Sequence, residues 1–182
     1  MDKRVGHVPP GRDQQQPPGE RGVVDLADAR VRIRSRKPTP EALTLELDAV
    51  RSLLDQGLST EAKDRLALLI SNARSNPPIL ALARCALSTA LEQQGHYRDS
   101  LAAVSMYEAP ESRGKLDDQT VSYLRVQIGL AYNYNGDHPK AIAMLKSTLR
   151  DYAENGGVNL GHIYAALSRT YRSISEYPIA RD

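Results

Sequence analysis

The sequence predicts an all-α protein, an array of repeated helix pairs behind a tail of forty residues. Three observations carry that prediction. From Glu41 onward the apolar residues recur at three- and four-residue spacing, the stripe of an amphipathic helix. The turn markers Gly57, Gly95, Gly136 and Ser175 are separated by 38, 41 and 39 residues, and a near-constant period signals units that bury their faces against one another. Composition then divides the chain: residues 1–40 hold six of the eleven prolines and a net charge of +4, whereas residues 41–182 are −2.

The tail (1–40) has no helical apolar period and no aromatic residue. It cannot bury enough surface to offset the entropy of ordering it, so disorder is expected. Within it, Arg30-Val31-Arg32-Ile33-Arg34-Ser35-Arg36-Lys37 alternates basic with mostly apolar side chains. Arg30, Arg32, Arg34, Arg36 and Lys37 therefore form a candidate basic arm, for phosphate or for strand addition to a partner. A solvated linker is the competing reading.

The array spans 41–182, with units at about 43–77, 81–108, 122–155 and 161–182, the last one truncated. In the first, Leu45, Ala49, Val50, Leu53 and Leu54 form one stripe. Gly57 interrupts it, Ser59 is the expected N-cap of the next helix, and Ala62, Leu66, Leu69 and Ile70 continue. Asn76-Pro77-Pro78 is expected to end that helix, because proline lacks a donor and disfavours helix before it. The second pair runs Ala81 to Gln94, then Gly95, then Tyr97 to Tyr107. The third runs Ser122 to Asn135, then Gly136, then Pro139 to Tyr152. The fourth runs Gly161 to Ile174, then Ser175, with another helix starting at Tyr177-Pro178. Pro139 and Pro178 suit a first helical turn, where the missing N–H breaks no bond.

The run from Ile128 to Ile142 resembles the tetratricopeptide repeat (TPR). Ile128 stands for that motif's leucine, followed by Gly129, Tyr132, the turn glycine Gly136 and Ala141. Other units match less fully: Leu87, Ser88, Leu91, Gly95, Tyr97 and Ser100 in the second, and Leu167, Ser168, Tyr171, Ser175, Tyr177 and Ala180 in the fourth. The first keeps Leu53, Gly57 and Ala62. The resemblance implies a right-handed α-α superhelical solenoid of TPR-like helix pairs. Its period exceeds the ~34 residues usual for the motif, with the excess at residues 109–115 and 154–157. Asp182 falls early in a last helix, so a longer chain or a covering partner is expected.

Chemistry finds little support. The single cysteine excludes a disulfide scaffold and a multi-cysteine zinc site, and no run suits a membrane span or a signal peptide. A cytoplasmic protein is expected. No metal-ligand motif and no nucleotide or nucleophile motif occurs, so no metal, cofactor or enzymatic activity is expected. His138 aligns with Tyr97 and Tyr177, which suggests packing at the turn, and Cys85 lies on an apolar-to-small face, which suggests a structural thiol. Asp117, Asp118, Glu108 and Glu111 read as solvated loop acids.

What the resemblance implies instead is a concave groove, lined by the first helix of each unit, that holds a peptide or partner domain. Its register gives Arg51, Leu54 and Asp55; Leu82, Cys85, Thr89 and Gln93; Tyr123, Val126, Leu130, Asn133 and Tyr134; and His162, Ala165, Arg169 and Arg172. Tyrosine and arginine suit interfaces, although Tyr123 and Tyr134 also suit seams between units. Lysine is missing from the positions that clamp a carboxylate in some relatives, which speaks against a chaperone-tail clamp. The expected function is a non-enzymatic protein–protein interaction module, the sensory or scaffolding part of a larger bacterial regulatory protein. The alternatives are a nucleic-acid-associated regulator using the basic arm, which the array's own charge disfavours along the groove, and self-association through the open C-terminal repeat.

Overall fold

The computed structural model describes residues 37–154 and 160–176. Seven α-helices follow one another: α1 (Pro40–Asp55), α2 (Ser59–Asn72), α3 (Pro77–Gln93), α4 (Tyr97–Val104), α5 (Asp118–Tyr134), α6 (His138–Tyr152) and α7 (Leu160–Glu176). Short 3-10 turns at Ala73–Ser75, Ser105–Tyr107 and Pro110–Arg113 join some of them. Among the described residues there is no strand, and no helix is long and apolar enough to cross a membrane. Arg30, Arg32, Arg34, Arg36 and the helix expected at Tyr177 lie outside the described residues; Lys37 lies inside them and is exposed.

Each helix packs against the next, and α1, α3, α5 and α7 also touch in series. That double demand explains why α3 and α5 are apolar or small over most of their circumference. On α3, Ile79, Ala83, Ala86 and Ala90 join the α1–α2 core, while Ala81 and Cys85 join Val104, Leu124 and Ile128 on the other side. A third cluster packs Val126 and Leu145 against Ile163, Ala166 and Leu167 of α7. Alanine at these contacts lets helix axes approach while leucine and isoleucine fill the groove opposite. Gly129 takes this furthest. A Cβ there would lie 2.8 Å from Leu145 Cγ and 2.9 Å from its Cδ2, so the α5–α6 contact at its present distance requires glycine at 129.

The three glycine turns are copies of one another. Gly57, Gly95 and Gly136 have φ of 77°, 75° and 80°, the left-handed region where only glycine avoids a Cβ clash. In each, the glycine N–H reaches back three residues and the following N–H reaches back five, to Leu53, Leu91 and Tyr132 respectively. That pair of bonds is the Schellman motif, and it satisfies carbonyls the helix end leaves open. The residue after the glycine then opens the next helix with nearly the same backbone each time, φ −83°, −85° and −86° at Leu58, His96 and Asp137.

Several sequence expectations are corrected here. Ser59 is not the N-cap of α2: Leu58 takes that position, without a side-chain bond, because the Schellman turn fixes the chain one residue earlier. Asn76-Pro77-Pro78 opens α3 rather than closing α2. Asn76 caps it by accepting the Ile79 N–H at 3.3 Å, Pro77 fills the first turn, and α2 ends at Asn72. Thr39 and Pro40, assigned to the tail, are the cap and first residue of α1. Ser175 marks no turn, since α7 continues to Glu176 and the Ser175 hydroxyl bonds the Arg172 carbonyl within the helix. The loop acids Asp117 and Glu108 are structural: Asp117 caps α5 through the Thr120 N–H at 2.9 Å, and Glu108 accepts the Tyr132 hydroxyl at 2.7 Å.

Candidate functional site

The groove residues expected from the sequence fall on α1, α3, α5 and α7, the helices that touch in series. Two lines of side chains cross that face. In the first, the Arg51 guanidinium of α1 lies 5.9 Å from the centre of the Tyr123 ring of α5, and that ring meets His162 of α7 at 6.2 Å and 60°. A cation over an aromatic face is attracted by the ring's quadrupole. Burial holds the Tyr123 hydroxyl proton tightly, with Asp55 adding to the effect and Arg51 opposing it. Asp55 and His162 are exposed, and Arg51 and Tyr123 are half-buried.

The second line joins α4, α5 and α7. Tyr97 and Tyr134 stack at 5.4 Å with planes 6° apart, and Arg169 Nη1 donates to the Tyr134 hydroxyl at 3.1 Å. Asn135, the residue before the turn glycine, donates to the Tyr97 carbonyl at 2.7 Å. A cavity of about 520 Å³ opens beside this stack, lined by His96, Tyr97, Arg98, Asp99, Tyr134 and Asn135. Tyr123 and Tyr134 thus cover seams between helices while keeping part of their surface open.

Other expected residues are committed to the fold. Asn133 is 4% exposed; it donates to Ser173 Oγ at 3.3 Å and its Oδ1 lies 3.0 Å from His138 Nδ1. The amide therefore ties α5 to α6 and α7. Gln93 donates to the Leu54 carbonyl at 3.0 Å, a carbonyl in the last turn of α1, and Thr89 bonds its own helix at the Cys85 carbonyl. Leu54, Cys85 and Val126 are buried, Leu82 and Leu130 half-buried, and Ala165, Arg169 and Arg172 exposed. Cys85 is fully enclosed, and burial pushes its thiol up to about 12, so it offers neither a thiolate nor a surface contact.

A polar cluster not expected from the sequence pattern joins α3, α4 and α5. Glu92 of α3 accepts Ser100 Oγ of α4 at 2.9 Å, Gln127 Nε2 of α5 at 2.9 Å and Ser88 Oγ at 3.4 Å, all on Oε1. Ser88 and Ser100 are themselves 2.8 Å apart, and Gln127 also reaches Ser88 at 3.1 Å. Burial raises the Glu92 pKa to about 7, against the opposing pull of these donors and of Arg169. The sequence did hold a signal: Glu92 continues the stripe Ala81, Cys85, Ser88, where an acid has no reason to lie unless it is bonded.

Among the described residues no cluster of histidine, cysteine or acid could hold a metal ion. No family model, no curated protein and no solved structure matches this chain. The class of protein therefore rests on the fold and on this face.

Proposed function

We propose that the chain is a non-enzymatic protein–protein interaction module, a right-handed solenoid of TPR-like helix pairs that binds an extended peptide across α1, α3, α5 and α7. One observation supports this above the rest. Three of the four helices in series, α1, α5 and α7, present exposed and half-buried Arg51, Asp55, Tyr123, His162, Arg169 and Arg172, a mixture of aromatic and guanidinium groups that supplies buried area and directed bonds at interfaces. The identical turns at Gly57, Gly95 and Gly136 and the close approach at Gly129 support the repeat reading.

The test is selection of dodecapeptides from a random phage library on the full chain, followed by affinities of the selected peptides for Tyr123→Ala and Arg169→Ala. Tenfold or greater weakening is expected, with the melting temperature of Arg169→Ala lowered by no more than the loss of its one exposed bond to Tyr134 would give. Unchanged affinity in both variants would remove the groove assignment.

A second reading, self-association, is favoured by the outer side of α7, where Tyr164, Tyr171 and Ile174 are 57%, 46% and 37% exposed. Light scattering at two concentrations separates the two readings. A mass that rises with concentration and falls in Tyr171→Glu supports assembly.

A further inference from the structure

The partner's chemistry can be narrowed at Glu92, and this rests on the peptide-binding reading above. All the donors that reach this carboxyl converge on Oε1. Oε2 receives no donor from the described residues, and, in a half-buried side chain, it is not wholly sealed from solvent. The donors come from α3, α4 and α5. They hold the carboxyl group in place and leave one oxygen ready for a ligand, which reduces the ordering cost of binding.

The donors at this site are neutral, so among the described residues no cation is hydrogen-bonded to the carboxyl. The ionisable groups in electrostatic reach are Arg169 from α7, Tyr123 from α5 and Cys85 from its own helix; α4 contributes only the Ser100 hydroxyl bond. Burial holds both Tyr123 and Cys85 in their neutral forms, and the Arg169 guanidinium is bonded to Tyr134. A half-buried carboxylate without a paired cation is costly, and a charge-assisted bond from a ligand would relieve that cost.

We propose that Glu92 Oε2 is the anchor for a lysine or arginine side chain of the bound peptide. An ammonium or guanidinium there completes an ion pair, while Arg169 is engaged with the Tyr134 hydroxyl. Because the free carboxyl titrates near 7, a bound cation lowers that value and binding below neutral pH releases a proton.

The experiment uses the full chain and the dodecapeptides selected on it. Each peptide is remade with every lysine or arginine in turn replaced by norleucine or citrulline, and all are measured against wild type and Glu92→Gln. One basic position is expected to lose about tenfold affinity on replacement, with Glu92→Gln losing about tenfold for the parent and little for the replaced peptide. The Glu92 carboxyl carbon, followed by NMR, is expected to titrate at least one pH unit lower with the parent bound. Peptides lacking a shared basic position, a shared acidic one instead, equal Glu92→Gln losses for parent and replaced peptides, or an unmoved carboxyl titration each overturn the proposal while leaving the binding face standing. Failure to select any peptide overturns both.

Discussion

Replacing Glu92 with glutamine tests the buried carboxyl in the unliganded protein through the pH dependence of folding. In the native chain the group keeps its proton up to about pH 7, against 4.5 as the ordinary value. Between these two values the folded state binds more protons than the unfolded state, so stability falls as pH rises through the window and levels off above it. Each pH unit inside the window is worth about 1.4 kcal/mol, which gives roughly 3 kcal/mol as a ceiling and about half that once solvent at the open oxygen is allowed for. Glutamine keeps an oxygen to accept the Ser100, Gln127 and Ser88 donors but does not titrate. Urea unfolding of both proteins at pH 5, 6, 7 and 8 is the assay, and the difference between them cancels every other titrating group. Wild type is expected to lose about 1–2 kcal/mol relative to the variant between pH 5 and 8. Parallel curves would refute the burial and the raised proton affinity together.

Gly129→Ala is expected to destabilise by about 1–2 kcal/mol despite alanine's better helix propensity, because the new methyl meets a fully buried Leu145. Gly136→Ala meets no atom within 4 Å and is expected to cost about 1 kcal/mol through its left-handed backbone alone; equal and negligible costs in urea melts would contradict both. The Cys85 thiol is expected to resist an aromatic disulfide reagent at pH 8 in native buffer and to react within minutes in denaturant. Rapid native reaction would mean the α3–α5 contact opens. Asp117→Ala is expected to cost about 1 kcal/mol through loss of the α5 cap. The backbone and side chain of Thr120 hold the Asp117 pKa below its ordinary 3.8. That contribution is therefore present above pH 4, and it fades as pH falls through the depressed native value. A penalty that does not shrink as pH is lowered from 5 into the acid range would argue against the cap.

The order of helices and turns was legible because its punctuation is chemical. A left-handed turn selects glycine, so Gly57, Gly95 and Gly136 could be read from spacing alone, and all three adopt the same backbone. Proline is ambiguous: Pro77 follows one helix and begins another, and only the position of Asn76 as a cap decides which role it has. Ser59 misled because a Schellman turn determines where the next helix starts, whatever hydroxyl lies nearby. Ser175 misled because serine lacks glycine's freedom, and the helix simply continues through it. The face itself was half legible. Register placed Arg51, Tyr123 and Arg169 on helices that touch in series, but it could not distinguish exposed Arg169 from buried Asn133, since that difference depends on contacts with His138 and Ser173. Glu92 was harder still, because its partners Ser100 and Gln127 come from different helices.

The residues most suited to hold a partner also hold the helices to one another. Tyr123 is shared by Arg51 of α1 and His162 of α7, and Tyr134 by Tyr97 of α4 and Arg169 of α7. A ligand group that takes Arg169 must compete with the Tyr134 hydroxyl, and one that covers Tyr123 must either displace Arg51 or join it on the ring. Contact and array stiffness thus draw on the same bonds, so a partner that substitutes its own donors loses little. One that only displaces them frees α7, which has fewer neighbours to constrain it than α3 or α5. A ligand cation at Glu92, as proposed above, would fall in neither class, because it would add a bond at an oxygen that receives no donor from the described residues and need displace none of the existing ones.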